Sequence, residues 1–429
     1  MADTIIFHVD VNSAFLAWEA SYRIQTLLET EDIRDFPSVI GGDEKQRHGV
    51  VLAKSIPAKK FGITTGEPLA SARKKCPGLK TYAPNFSLYV EKSRALIALL
   101  NRYAPVVEQF SIDEAFCDFT GTTGLYGPPV EFALKLKDII RDELGFTVNI
   151  GVSSNKLLAK MASDFEKPDK VHTLFPHEIP QKMWPLPVSD LLYVGRSSIR
   201  TLHNLDIFTI GDLANADVAI LKQHLKKHGE DMWKSANGMD DALVTDTPAA
   251  NKGYGNSITV GTDVTDRESA LTILLSLCET IGARLRADHA YISVVSVSVV
   301  DTAFRRSSHQ VTLPSSTDIT EKIYDAACEL FTHLWDGEPL RQLGVHTFRA
   351  TSEHFVQYDM FNASQSDKLS KLNLAIDQIR NRYGDEAVKR ARFIDSEHSH
   401  MAGGLGKAKR RRDNTGNNRD KDSFGQSPD

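Results

Sequence analysis

Asp113 and Glu114 are adjacent carboxylates in Gln109-Phe110-Ser111-Ile112-Asp113-Glu114-Ala115-Phe116, a run that otherwise has the composition of a buried strand. Val106, Val107 and Phe119 around it are strand formers too. A second apolar run, Ile5-Ile6-Phe7-His8-Val9, ends abruptly at Asp10. Acidic side chains are rarely buried without a partner or a cation. Two strand-like segments that each deliver acid at an apolar site suit a hard divalent cation held by oxygen ligands. The alternative, on these segments alone, is that one acid caps a turn and the others are solvated.

The elements around these acids extend the chemistry. After Asp10 the chain passes Val11 and enters a predicted helix with Asn12 or Ser13 as N-cap, along which Phe15, Trp18 and Tyr22 recur at helical spacing. The amides at such a helix start form an anion site. A carboxylate able to hold a metal thus stands beside amides able to hold a phosphate. Between Asp43 and Lys80, nine Lys/Arg stand against three acids. That excess fits a polyphosphate substrate, with a merely solvated surface as the alternative. Gly41-Gly42-Asp43-Glu44 matches a fragment of diguanylate cyclases, but Lys45 follows it instead of an aromatic. A plain turn between two strands explains it better.

At 429 residues the chain exceeds one ordinary core, so about two to four domains are expected. Met1-Ala2-Asp3-Thr4 lacks the basic start of a signal peptide, and no apolar run approaches a membrane span. Cys76, Cys117, Cys278 and Cys328 form no Cys-x-x-Cys pair, which indicates neither a zinc site nor a disulfide framework. A reducing, cytoplasmic location is the expectation. A net charge of −5 argues against nucleic acid coating the whole surface.

Further along, a short helix is predicted over Glu67–Lys75, a long amphipathic one over Ser87–Ala104, and another over Val130–Leu144. A strand, Thr147–Val152, and a helix, Asn155–Phe165, complete an α+β sheet domain that ends at Pro168. From Pro176 to Asn237 there are only short helices, separated by Gly195, Gly211 and Gly229. This is the plan of a helix-hairpin-helix, or of a small bundle. Asp241–Lys252 reads as a linker. Gly253–Ser352 carries the order βαββαβ, one four-stranded sheet with both helices on one face. Its apolar alternation changes phase at Val294-Val295, which predicts a bulge or a strand apolar on both faces. Gln357-Tyr358-Asp359-Met360-Phe361 has the form of a short docking peptide. Leu369, Leu372, Ile376, Ile379 and Tyr383 then mark the apolar face of a helix stopped by Gly384. Beyond Ala402, a tail with Lys409-Arg410-Arg411-Arg412 is expected to be disordered.

With these motifs in order, the chain resembles the Y-family (translesion) DNA polymerases of the bacterial DNA polymerase IV or UmuC type. The resemblance runs from about residue 4 to 395 and rests on His8-Val9-Asp10-Val11-Asn12-Ser13-Ala14-Phe15 and Ser111-Ile112-Asp113-Glu114-Ala115. Gly49-Val50-Val51 with Ala58-Lys59-Lys60-Phe61-Gly62, and Gly151-Val152-Ser153 through Lys156, Ala159-Lys160 and Lys167-Pro168, add to it. It implies a right-hand, multidomain α+β polymerase: palm 1–13 and 81–168, fingers 14–80, thumb 169–240, linker 241–252, little finger 253–352, and a C-terminal segment 353–429.

The implied activity is low-fidelity, template-directed extension of a primer 3′-hydroxyl past DNA lesions, by a chain that is a monomer. Its implied cofactor is a pair of Mg²⁺ ions held by Asp10, Asp113, Glu114 and the Val11 carbonyl. In a flat strand Asp113 and Glu114 would point to opposite faces, so a twist or turn is required there. Phe15 matches the steric gate against the ribose 2′-hydroxyl. The amides of Ala14 and Phe15, with Lys59 and Lys167, match the triphosphate site, and Gly195, Arg196 and Ser197 match a DNA-phosphate contact. Gln357, Met360 and Phe361 match the bacterial sliding-clamp peptide. The chain departs from the family at Ile56 and Lys59, where a Tyr and an Arg are common, at Tyr193 in place of a glycine, and at Asn12 in place of an Asp. A neutral Asn12 is a poor metal ligand. Two rival functions, a catalytically silent DNA-binding paralogue and a nucleotide cyclase, leave the three acids or the C-terminal half unexplained.

Overall fold

The computed structural model describes residues 4–43, 47, 49–247, 249–353, 363–394 and 396–402. The chain divides into two compact units, Met1–Gly42 with Val50–Pro248, and Asp43–Gly49 with Ala249–Asp429. Among the described residues no helix is long and apolar enough to cross a membrane. The docking peptide with Gln357, Met360 and Phe361, the basic tail, and Glu44 of the Gly-Gly-Asp-Glu turn lie outside the described residues.

The first unit opens with β1 (Ile6–Val11) and α1 (Ala14–Gln25). β2 (Ser38–Gly41), β3 (Val51–Lys54), α2 (Ile56–Lys60), α3 (Leu69–Lys75), β4 (Lys80–Tyr82) and α4 (Phe86–Leu100) follow. Next come β5 (Val106–Gln109), β6 (Glu114–Asp118), α5 (Thr123–Tyr126), α6 (Pro129–Leu144), β7 (Val148–Ser153), α7 (Lys156–Ser163) and β8 (Val171–Thr173). α2 has Pro57 in its first turn, where a missing N–H costs nothing. Ser55 caps it, its hydroxyl accepting from the Ala58 amide at 3.1 Å.

β1 is the central strand of a five-stranded sheet ordered β5-β6-β1-β7-β8, flanked antiparallel by β6 and β7. Strand alternation sorts its residues. Phe7, Val9, Val11, Ala115 and Cys117 enter the core with Trp18, Tyr89, Leu136 and Ile140. Each such fully buried large side chain stabilises the fold by roughly 1.5–3 kcal/mol. Ile6 and Phe116 pack on the opposite face with Ala159 of α7, and His8, Asp10 and Glu114 share their strand parity. α7 lies close on β7 because Gly151 has no Cβ; one built there would stand 1.9 Å from the Ala159 carbonyl oxygen. A smaller sheet ordered β3-β2-β4 has its own apolar cluster around Val39, Val51, Ile63 and Leu69.

The short helices α8 (Ile179–Lys182), α9 (Arg196–His203), α10 (Ile210–Ala214), α11 (Val218–Leu225) and α12 (Lys227–Ala236) share a core with Leu157, Leu158 and Met161 of α7. Val188–Asp190, within the stretch expected to hold only short helices, is one turn of 3₁₀ helix.

In the second unit, β9 (Gly255–Val264), α13 (Arg267–Ala287), β10 (Ile292–Asp301), β11 (Arg306–Thr317), α14 (Thr320–Leu334) and β12 (Leu340–Phe348) follow the expected βαββαβ order. The sheet order is β11-β10-β12-β9, and β10 slips register against β11 between Ile292 and Val294, where the apolar phase changes. α15 (Ala363–Tyr383) ends at Gly384, which takes a left-handed φ of 98°. Its buried side takes in only part of the predicted apolar face: Leu369 and Ile376 are half-buried on the stripe of Asn373 and Arg380. Leu372, Ile379 and Tyr383 are exposed, while Asn373 and Arg380 are buried.

Candidate active site

The acidic segment is a hairpin rather than one continuous strand. The amides of Phe110 and Ser111 both donate to the Glu114 carbonyl, at 3.1 and 3.2 Å, so the chain reverses between β5 and β6. Asp113 sits in the turn and Glu114 is the first residue of β6. The Ser111 hydroxyl donates to Asp113 Oδ1 at 2.7 Å, and the Val11 amide donates to the Asp113 carbonyl at 3.0 Å. This is the turn that the two adjacent acids require.

Glu114 pairs directly across the ladder with Asp10. Ligand atoms of His8, Asp10 and Glu114 lie within 4.8 Å of one another, and Asp113 does not belong to that group. Asp113 instead lines a cavity of about 510 Å³ with Asp10, Val11, Ala14, Phe15, Lys59 and Lys167. The predicted acids therefore divide. Asp10 belongs to both sets, Asp113 to the cavity and Glu114 to the face under α7.

The cause is α7, whose side-chain cap is Asn155, accepting from the Leu158 amide at 2.9 Å. Lys156, Lys160 and Ser163 fall at i, i+4 and i+7, on one helical stripe. Lys156 pairs with Glu108 at 2.7 Å, and Lys160 is in close contact with Glu114 Oε2. Ser163 Oγ lies 2.8 Å from His8 Nδ1 on one side of the ring, and Glu114 Oε2 lies 2.9 Å from His8 Nε2 on the other. Burial raises the Glu114 pKa, but His8 and Lys160 outweigh it and hold the group at about 2. Burial pushes the His8 imidazole pKa down, against the pull of Glu114. Burial also pushes Asp10 up, although Lys167 Nζ stands 3.1 Å from its Oδ2 and opposes the shift.

On the cavity side, Ser13 precedes α1 in a left-handed conformation, and no side chain caps the helix. The first-turn residues Ala14 and Phe15 line the cavity with Lys54, Lys59 and Lys167. The Phe15 ring stacks on Tyr89, with centroids 4.6 Å apart and planes at 8°, and meets Phe86 edge-on. It is both packed against the core and open to the cavity. Ile56 lines the same cavity beside Lys59 but is half exposed and offers no polar atom there. Gly195, Arg196 and Ser197 are exposed at the start of α9, far along the chain from the acids. Gly195 has an ordinary φ, and it is Tyr193 that takes the left-handed one, 69°.

Sequence reasoning assigned no role to Lys160, Lys54, Tyr89 or Asn149. The α7 stripe was readable from its spacing; the others depend on long-range packing that no local pattern signals. Asn12, set aside as a metal ligand, is engaged by hydrogen bonds instead, with Asn149 and the Asp169 amide.

The cation-lined cavity beside clustered acids is the layout of a nucleotidyl-transfer site, and similarity to known proteins agrees. The impB/mucB/samB family matches residues 9–164, and its C-terminal domain matches residues 251–360. A DNA polymerase IV of Clostridium acetobutylicum is 47% identical over 394 residues, covering 92% of this chain and 99% of that one. One from Acetivibrio thermocellus is 36% identical, covering 90% and 96%. A DNA polymerase IV 2 of Bacillus subtilis is 34% identical, covering 91% and 95%. A Y-family DNA polymerase chimera of known structure has the same fold, with a TM-score of 0.67 at 20% identity, over 80% of this chain and 98% of that one. The chain belongs to the impB/mucB/samB family of Y-family DNA polymerases, in its DNA polymerase IV branch.

Proposed function

We propose that this chain is a DNA-directed DNA polymerase that extends primers across damaged template. The carrying observation is the convergence of Asp10, Asp113, Phe15, Lys59 and Lys167, from four separate stretches of the chain, on one cavity. In the reaction the primer 3′-oxygen attacks the α-phosphorus of a dNTP, the bond to the β-phosphate oxygen breaks, and pyrophosphate leaves. Asp10, Asp113, Glu114 and the Val11 carbonyl would offer a hard oxygen donor set that fits Mg²⁺, and burial makes the ionised form of Asp10 costly in a way that a bound cation would offset. When bound, a pair of such ions supplies activation of the hydroxyl and neutralisation of the leaving group.

The chain's own residues do the rest. Lys160 and His8 keep Glu114 ionised. Lys59, Lys167 and the start of α1 bind the phosphates. Phe15, held flat by Tyr89, excludes a 2′-hydroxyl. Gly195, Arg196 and Ser197 contact a template-primer phosphate at the start of α9. Gln357, Met360 and Phe361 form the sliding-clamp peptide, a reading that rests on sequence. The palm, fingers, thumb and little-finger divisions remain those read from the sequence; the apolar clusters cross them, since Leu16, Trp18, Ile33 and Ile40 of the fingers range pack in the palm's core and Leu157, Leu158 and Met161 of the palm range pack with the thumb helices.

Asp113→Ala tests the reading. Primer extension with Mg²⁺ and dNTPs should fall on the order of a thousandfold, with primer-template binding retained. Near-normal extension by that variant would overturn it.

A further inference from the structure

Lys167 stands on the connection between α7 and β8, which has no ladder of its own, yet its ammonium is held at Asp10. The backbone on both sides of it is tied to two asparagines. Asn149 lies opposite Asp10 in the β1–β7 ladder and is fully buried. Its Nδ2 donates to the carbonyls of Ser163 at 3.0 Å and Glu166 at 2.7 Å. Its Oδ1 accepts from the Lys170 amide at 3.2 Å and from Asn12 Nδ2 at 3.1 Å. Asn12 Oδ1 in turn accepts from the Asp169 amide at 2.9 Å. Two donors and two acceptor sites of the Asn149 amide are thus all used. Only a carboxamide supplies that set, since a carboxylate has no donor and an aliphatic side chain has neither. Lys137 adds a further hold through Asp169 at 2.9 Å.

We infer that Asn149, with Asn12, is a positioning residue for nucleotide binding: the pair fixes the backbone before and after Lys167 and so aims its ammonium at the incoming phosphates. This rests on the proposed role of Lys167. A tie that merely stabilised the fold would lower melting temperature without selecting one kinetic constant. A tie that aims Lys167 acts through it.

The test is steady-state primer extension with dNTP titration. Asn149→Ala should raise the dNTP KM about tenfold and Asn12→Ala about threefold, with kcat changed less and primer-template Kd unaltered. Asn12→Ala in a Lys167→Ala background should add nothing to the KM of Lys167→Ala alone. Hydrogen exchange should quicken at the Asp169 amide in Asn12→Ala while the β1–β7 ladder stays protected. Multiplying penalties in the double variant, or an unchanged KM in Asn12→Ala, overturns the inference while leaving Lys167 as a phosphate ligand. An unchanged KM in Lys167→Ala itself overturns that phosphate role, and the inference with it. If Asn149→Ala does not fold, the milder Asn12→Ala arm decides.

Discussion

Asp10 and Glu114 face each other across the β1–β6 ladder, yet burial leaves them in opposite electrostatic conditions. Asp10 shares its one lysine, Lys167, with Asp164, and its pKa rises. Glu114 has both His8 and Lys160, and its pKa falls to about 2. A carboxyl whose pKa is lower folded than unfolded stabilises the fold fully above its ordinary value of 4.5, and that contribution drains away as pH falls toward 2. At about 1.4 kcal/mol per pKa unit, discounted for solvent screening, the contribution is about 2 kcal/mol. Glu114→Gln should therefore be less stable than the parent at pH 7 in urea unfolding, with the gap closing near pH 2; a gap constant across that range would refute this account. Phe15 gives a second residue-scale prediction. With its ring fixed by Tyr89, Phe15→Ala should raise ribonucleotide incorporation about a hundredfold, read as alkali-sensitive product. No increase would remove the gate role.

At the scale of elements, what was legible followed periodicity. The helical stripe of α7, the βαββαβ order and the bulge near Val294 all carry a local pattern. The acidic hairpin was legible only as the requirement for a twist or turn between Asp113 and Glu114, because the strand formers Phe110 and Ile112 outweigh the turn residues Ser111 and Asp113 in the local pattern; the reversal is made by paired bonds to the Glu114 carbonyl. The triphosphate side of the site was legible as residue types only, since Asn149 and Tyr89 act through contacts more than a hundred or some seventy residues from Asn12 and Phe15. Tyr193 is a case in which the residue opposes its own backbone. A left-handed tyrosine costs about 1–2 kcal/mol, of which glycine's greater unfolded-state entropy returns up to about 1 kcal/mol. Tyr193→Gly should thus leave stability within about 1 kcal/mol of the parent while letting the backbone approach a phosphate. Primer-template Kd, measured at fixed salt, should fall about twofold; weaker binding would show that the tyrosine ring itself contributes.

The whole chain comprises two units with separate cores, so calorimetry should resolve more than one transition. In the second unit the C-terminal segment is fastened by buried charge as well as by apolar contacts such as Phe393 and Ala402, where sequence periodicity implied an apolar seam alone. Glu279 of α13, 2% exposed, receives Arg380 Nη1 of α15 at 2.7 Å and is in close contact with Arg390. Arg390 also reaches Glu321 of α14 at 2.6 Å, and Arg286 meets Asp377 at 2.5 Å. No sequence pattern announces such a network, because its members on α13, α14 and α15 sit on helix faces that read as solvated and Arg390 lies in an irregular stretch after α15. Breaking a buried pair from one side typically costs about 3–5 kcal/mol, since the stranded charge stays desolvated. Arg390 remains beside Glu279, so Arg380→Ala should cost about 2–3 kcal/mol, at the low end of that range or below. The second unit's transition should drop by several degrees while the first unit's stays in place. Because the pair is buried, about 1 M salt should not erase the difference. A shift that vanishes in salt would mean that α15 is held by exposed charges instead, and no shift would mean that Arg380 is dispensable to its docking.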